Sequence, residues 1–216
     1  MGAKAFRRAG RRSKAALPVV IRRAHARDAK RLTRLVRGSS AYEGPFAAMV
    51  DGYRVGPDYI EAHRVFVAVE AVEAVEAGAG AGAGGDGYGD GYGYGYGYGD
   101  GRADGRDADG GAGGGVVLGF YALVVESAEL DLMFVADAAQ GRGIGRLLIE
   151  HMKGEARSAG LDAVRIVSHP PSEGFYRSVG ALRIGTLAAA PPVVMWDRPE
   201  LTLPVTERAD DGTSTG

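Results

Sequence analysis

The sequence predicts a mixed sheet with helices on its faces, and two observations lead there. The apolar patterning orders the segments strand-helix-helix-strand-strand-strand-helix-strand-helix-strand-strand, without the regular strand-helix alternation of a doubly wound fold. Two strand-length runs also flank a glycine-rich segment, as the arms of a hairpin would. Composition agrees with a globular chain: of 216 residues, 45% are hydrophobic and 25% charged. That length suits one domain with appendages.

Taken in order, Leu17 to Arg23 (LPVVIRR) reads as a first strand. Asp28 to Arg37 places Leu32, Leu35 and Val36 on one helical face. In 41–62, Gly44-Pro45 and Gly56-Pro57 punctuate two short helical pieces. Val65 to Glu70 and Val116 to Val125 are β-branched and aromatic, the two arms of the hairpin. Between them, residues 78–115 hold more than half of the chain's 36 glycines and half of its ten tyrosines. Alternating glycine maximises backbone freedom and offers little to bury, so a disordered insert at a swollen hairpin turn is expected. Such insertions cost little, because closure entropy grows only logarithmically with length. Repeated Gly-Tyr also favours weak self-association, which stands as a second reading.

Further on, Glu129 to Val135 (ELDLMFV) alternates partly and reads as a strand. Ile144, Leu147, Leu148, Met152 and Ala156 form one stripe, giving a helix from Gly143 to Ala159 that stops at Gly160. Ala163 to Val167 is a strand, and Glu173 to Val179 a short helix stopped by Gly180. Leu182 to Gly185 and Val193 to Trp196 are late strands. The expected organisation is a basic disordered tail over 1–17, a single domain over 18–205 interrupted by 78–115, and a disordered polar tail over 206–216.

Several function classes fall away. With no cysteine, disulfide frameworks, thiolate nucleophiles and cysteine-ligated zinc are excluded. His25, His63 and His151 have no acidic or histidine partner at ligand spacing, so no metal site is expected. A net charge of −1, from 26 basic and 27 acidic residues, argues against a broad, specific nucleic-acid surface. The solvated tail 1–17 keeps contact with nucleic acid or an anionic surface as its alternative. No apolar run approaches the roughly 18 residues that span a bilayer, and there is no secretory stretch. A soluble, cytoplasmic protein is expected.

The informative stretch is Gln140-Gly141-Arg142-Gly143-Ile144-Gly145-Arg146, between a strand and a helix. Alternating glycines let the backbone pass close to a ligand. The helix behind them offers unpaired N–H groups and a positive dipole end, which together make a pyrophosphate cradle. Arg142 and Arg146 add charge. A dinucleotide fingerprint fails on spacing, and the Walker form fails for want of Gly-Lys-Ser/Thr. There is no Gly-x-Ser-x-Gly elbow for a serine hydrolase.

This form, Gln/Arg-x-x-Gly-x-Gly, resembles the acetyl-CoA signature of the GNAT superfamily of N-acetyltransferases. Met133-Phe134-Val135 is similar to the strand end that precedes that signature in the family. His169 through Gly180-Ala181, with its Gly174-Phe175-Tyr176 segment, resembles the family's Asn-Pro-x-Ala-x-x-Phe-Tyr-x-x-x-Gly-Phe. The resemblance covers about 60 continuous residues. It implies a GNAT-like acyl-CoA-binding fold, α/β of the α+β kind, with a mixed, mostly antiparallel central sheet and helices on both faces. It also implies an enzyme that passes the acetyl group of acetyl-CoA, without a metal, to a primary amine of a small molecule or protein. Direct attack would occur in a ternary complex. A non-catalytic acyl-CoA-binding module is the alternative, and either a monomer or a homodimer is compatible.

The resemblance also distributes roles. Main-chain groups of Gln140, Gly141, Arg142, Gly143, Ile144, Gly145 and Arg146 would hold the diphosphate. Ile144 and Leu147 as side chains read as core packing. The pantetheine arm would pair with the backbone of Phe134 and Val135. Tyr176 matches the family's tyrosine that protonates the leaving thiolate, though it could equally pack on the cofactor. Glu129 stands where several members place a catalytic base. Asp131, or water alone, remains open for that task. His169 replaces the usual Asn and could still contact the cofactor. Tyr42, Glu43, Phe46, Tyr53, Tyr59, Trp196 and Asp197 fall in the segments that form the acceptor groove, where aromatic and acidic lining suits a cationic amine. The same residues also suit plain cover for the sheet.

Overall fold

The computed structural model describes residues 18–71, 115–192 and 194–206. The basic tail 1–17, residues 78–114 of the glycine-rich segment and residues 207–216 lie outside the described residues.

Alternation and capping residues explain most of the elements. β1 (Val19–Arg23) leads through a 3-10 turn (Ala26–Asp28) into α1 (Ala29–Arg37). The Asp28 carboxylate anchors that junction, taking two hydrogen bonds from Arg22 at 2.8 and 2.9 Å and one from the His25 N–H at 2.9 Å. Two further 3-10 turns (Ser40–Tyr42 and Gly44–Met49) precede α2 (Pro57–Ala62), which begins on proline as a first helical residue allows. β2 (Arg64–Glu70) and β3 (Val117–Val124) pair antiparallel, as the hairpin reading requires. Then come β4 (Glu129–Val135), a 3-10 turn (Asp137–Ala139), α3 (Ile144–Ser158), β5 (Ala163–Val167), a 3-10 turn (Pro170–Ser172), α4 (Glu173–Ser178), β6 (Leu182–Leu187) and β7 (Arg198–Pro204).

The seven strands form one sheet in the order β1-β2-β3-β4-β5-β7-β6. All neighbours are antiparallel except β4 and β5. One face carries the core under α3 and α4, where Ile144, Leu148, Ile149, Met152 and Ala156 meet Leu130, Val164, Ile166, Leu201 and Leu203. The other face carries the core under α1 and α2, where Leu32, Val36 and Ile60 meet Val65, Val67, Phe120 and Phe134. Each fully buried aliphatic side chain contributes about 1.5–3 kcal/mol of burial free energy.

Two expectations need correcting. The last strand is Arg198–Pro204, not Val193–Trp196. Val193 lies outside the described residues, and among the described ones nearby there is an isolated bridge, Ala190 to Val194. The true strand buries Pro199, Leu201 and Leu203 in alternation. Its prolines disguised it, because proline cannot donate to a ladder. Leu147 does not belong to the buried stripe of α3: it is 41% exposed, and Ile149 is buried beside Leu148 instead.

The two arms of the hairpin remain paired up to the insert, with the Glu70 N–H donating to the Val116 carbonyl at 3.0 Å. Replacing residues 80–113 by a short Gly-Ser turn is therefore expected to shift Tm by no more than about 3 °C, since closing a shorter loop costs slightly less. A thermal melt showing a much larger loss would place the segment inside the folded structure.

Candidate active site

β4 and β5 are parallel neighbours that pair at a single position, Glu129 with Arg165. Beyond it they part, and a cleft of ≈ 790 Å³ opens between them. Glu129, Asp131, Phe134, Val135, Gln140, Gly141, Gly143, Ile144, Gly145, Arg146, His169 and Tyr176 all line it. Residues far apart in sequence thus come together as expected. Arg142 is the exception: its side chain pairs with Glu70 at 2.7 Å, tying the glycine loop to the end of β2.

The loop before α3 turns on two glycines, with φ +73° at Gly141 and +81° at Gly143. Left-handed backbone of this kind favours glycine. Gly143 is the N-cap of α3, and no side chain caps the helix. The first amide N–H groups of a helix have no carbonyl partner within it and carry the positive end of the dipole. Here they open onto the cleft and fit a diphosphate. Arg146 stands beside them, held by the carbonyl and hydroxyl of Ser178 at 3.3 and 3.2 Å. Gln140 bonds Asp137 at 3.0 Å, and Asp137 accepts the Ser40 N–H at 3.1 Å, so the loop and the turn carrying Tyr42 are fastened together. Gly145 has a different reason to be glycine from the one the motif suggests. A Cβ there would come within 3.1 Å of the Phe175 ring, so it allows α4 to pack on α3. Ile144 is 3% exposed and packs in the core.

The open edge of β4 supplies a second binding element. The Ala136 N–H donates to Leu118 of β3, and Phe134 lies opposite Phe120 in the same register. In an antiparallel ladder, alternate residues turn their main-chain groups to the same neighbour. Those of Phe134 therefore serve β3, and those of Met133 and Val135 face the parting. The expectation for Val135 fits this arrangement. Phe134 offers its ring instead, 5.6 Å from Tyr42, and Met133 is the residue that sequence reasoning missed.

Tyr176 lies on α4, 8% exposed. Burial, with a smaller contribution from Tyr42, pushes its hydroxyl well above the ordinary phenol range. Burial thus favours the protonated phenol, which can donate a hydrogen bond. Glu129 is bonded through Oε2 to Arg165 at 2.9 Å, and Arg165 also reaches Glu200 at 2.6 Å. Asp131 occupies a bulge, since Leu123 faces Leu130 and Ala122 faces Leu132. A bulge re-aims the extra side chain, and here Asp131 accepts the Tyr59 hydroxyl and lines the cleft. Burial and then Asp131 push Tyr53 up to about 12. Burial, with Asp131 adding, likewise raises Tyr59.

Tyr42, Tyr53 and His169 bring aromatic rings to the cleft. Tyr42 stacks on His169 at 4.6 Å, and Phe46 meets His169 edge-on at 4.3 Å and Trp196 at 4.5 Å. Burial lowers the His169 pKa, so the ring is neutral near pH 7. Neither of its nitrogens has a hydrogen-bond partner among the described residues. Of the other expected groove residues, Tyr53 lines the cleft, while Asp197 caps the Ala189 N–H at 2.9 Å and Glu43 is exposed. Arg198 lines the cleft as well. Sequence reasoning had no signal for it, because the register of β7 was unseen.

A Cβ at Gly143 would meet no atom within 4 Å, so only the backbone conformation resists substitution. Gly143→Ala is expected to cost about 1–2 kcal/mol of stability and to weaken acetyl-CoA binding at least about tenfold, read by thermal melts and calorimetry. Unchanged binding heat would remove the cradle.

Residues 112–186 match the model of the acetyltransferase (GNAT) domain. No curated protein matches the chain significantly. Its fold is similar to that of a GCN5-related N-acetyltransferase from Rhodopseudomonas palustris, at TM-score 0.56 and 12% identity, over 89% of this chain and 99% of that one. It is similar to Ard1 from Thermoplasma volcanium, at TM-score 0.53 and 15% identity, over 88% and 99% of the two chains. A Salmonella typhimurium protein described as an acetyltransferase, solved with its cofactor acetyl-CoA, aligns at TM-score 0.52 and 17% identity over 89% and 96%. The matched segment carries the uncapped helix, the parted strand and the buried tyrosine, and over residues 112–186 the chain is similar to the GNAT acetyltransferase domain.

Proposed function

We propose that the protein moves the acetyl group of acetyl-CoA to a primary amine of a small molecule or protein, by direct attack within a ternary complex. The observation that carries this reading is the meeting, in one cleft, of an uncapped helix N-terminus, an unpaired strand edge and a phenol that keeps its proton. Acetyl-CoA supplies the activated thioester. The chain's residues hold it, position the amine and move two protons.

Amides from Gln140 to Arg146 would take the diphosphate, with the Arg146 side chain beside them. The main chain of Met133 and Val135 would pair with the pantetheine arm, while Phe134 packs against it. His169 has its ring nitrogens free to meet a polar group of a bound partner. As the amine nitrogen bonds to the carbonyl carbon and the C–S bond breaks, the Tyr176 hydroxyl would protonate the departing thiolate. Glu129 would take the amine's proton: Arg165 engages its Oε2, and Oε1 has no partner among the described residues. Asp131 would draw the cationic amine into the cleft. Action in the cytoplasm belongs to the same reading, and no helix among the described residues is long and apolar enough to cross a membrane.

Calorimetry with acetyl-CoA and thiol release against an amine panel test the proposal. Binding heat together with turnover is expected. Binding without turnover on any amine would mark a non-catalytic module, and no heat would end the reading. Tyr176→Phe is expected to lower kcat by about 10–10³-fold with acetyl-CoA affinity unchanged. Because burial raises this phenol above its usual value of about 10, wild-type kcat should not fall on the alkaline side through about pH 9. A rate unaffected by the substitution would remove Tyr176 as the acid.

A further inference from the structure

Two cations line the cleft with no counterion among the described residues: Arg146, which is hydrogen-bonded to Ser178, and Arg198. Arg198 opens β7 and lines the cleft. Its Nε is buried with no hydrogen-bond partner, and its guanidinium forms no ion pair among the described residues. The neighbouring arginines differ. Arg165 lies between Glu129 and Glu200, Arg142 is on Glu70, and Arg146 is on Ser178. Two side chains close to Arg198 are orphaned in the same way. One is the indole Nε1 of Trp196, two residues upstream. The other is His169, 6% exposed and lining the cleft, with both ring nitrogens unpartnered. The His169 and Trp196 rings lie 6.2 Å apart, and the Ser168 N–H donates to the Pro199 carbonyl at 2.8 Å, so these residues flank one rung of the sheet.

An arginine N–H and an indole N–H can only donate, and a neutral imidazole adds one more donor. Donors outnumber acceptors in such a set, the second imidazole nitrogen being its one acceptor, and a carboxylate supplies several lone pairs with the opposite charge. The bound diphosphate is not that acceptor. Leu201 and Leu203 point into the core beneath α3 and Pro199 is buried in the same alternation, so strand alternation turns Arg198 and Glu200 to the opposite face, away from the helix whose N-terminus would form the cradle. On that face the cleft also holds the acids Glu129 and Asp131. A cation at one end and carboxylates at the other complement a zwitterion.

We infer that the acceptor is a free amino acid, its carboxylate paired with Arg198 and its amino group turned toward Glu129 and Asp131. This rests on the acetyl-transfer reading and names its substrate class. Tyr42 and His169 line the cleft, with Phe46 edge-on to His169, and suit an apolar side chain. The new bond joins the amino nitrogen to the acetyl carbon, and the C–S bond breaks. The ammonium first gives one proton to Glu129, a second leaves the nitrogen as Tyr176 protonates the thiolate, one proton goes to solvent overall, and the carboxylate is unchanged.

Trp196 is the chain's single tryptophan, so its fluorescence reports on this spot without turnover. In the presence of coenzyme A, L-phenylalanine and L-leucine are expected to shift its emission saturably, whereas phenethylamine and isopentylamine, which lack only the carboxylate, are not. In acetyl transfer, kcat/KM should favour each amino acid over its matched amine by roughly 10–100-fold. Arg198→Gln should bring that ratio close to unity, and Arg198→Lys should retain part of it. Equal response to both members of a pair, a preference that survives Arg198→Gln, or no response to the amino acids would overturn the inference. Equal turnover of phenethylamine and phenylalanine would do so while leaving acetyl transfer standing. Absence of any acetyl-CoA binding heat would remove both.

Discussion

The separation of β4 from β5 governs the rest of the molecule. Parallel neighbours normally share evenly spaced hydrogen bonds along their length. Here the pairing stops after Glu129 and Arg165. The cost of leaving main-chain groups of β4 unpaired is offset only if something else satisfies them, since an unpaired buried N–H or C=O is expensive. Water or a bound chain of amides can satisfy them, and pantetheine is such a chain. The same gap sets the walls of the cleft: the glycine loop closes one end, and α4 with Tyr176 closes another.

The sheet also keeps two chemistries apart. Its α3 face gathers positive character, from the helix dipole and Arg146, where a diphosphate is to be held. Its other face carries the Glu129–Arg165–Glu200 chain of charges, Asp131 and the unpaired Arg198. Arg165 is neutralised on both sides and serves to hold two carboxylates in place. Asp131, answered only by a phenol, keeps more of its charge for a ligand. The two substrates would meet only where the strands part.

Burial also fixes the protonation of the tyrosines. Tyr42, Tyr53, Tyr59, Tyr121 and Tyr176 are all raised, with desolvation as the leading cause. A phenol that cannot ionise is a fixed donor. Around the cleft Tyr59 donates to Asp131, and in the proposed reaction Tyr176 would be the acid.

Short-range patterns were legible along the chain. The stripe of α3, the hairpin arms around the insert, the stops at Gly160 and Gly180, and the loop from Gln140 to Arg146 all rest on contacts or dihedrals within a few residues. Long-range pairing was not legible. The true last strand carries two prolines and reads poorly as a strand, yet it lies between β5 and β6 because its alternate residues fill the core under α3. Its register alone exposes Arg198. Leu147 fits the helical period and is nonetheless exposed. Gly145 looked like part of a phosphate loop, but the ring of Phe175, far along the sequence, is what demands it. Arg142 looked like a phosphate ligand until Glu70 met it across the sheet. Periodicity records what a segment can bury; which partner it meets depends on strands brought together from distant parts of the chain.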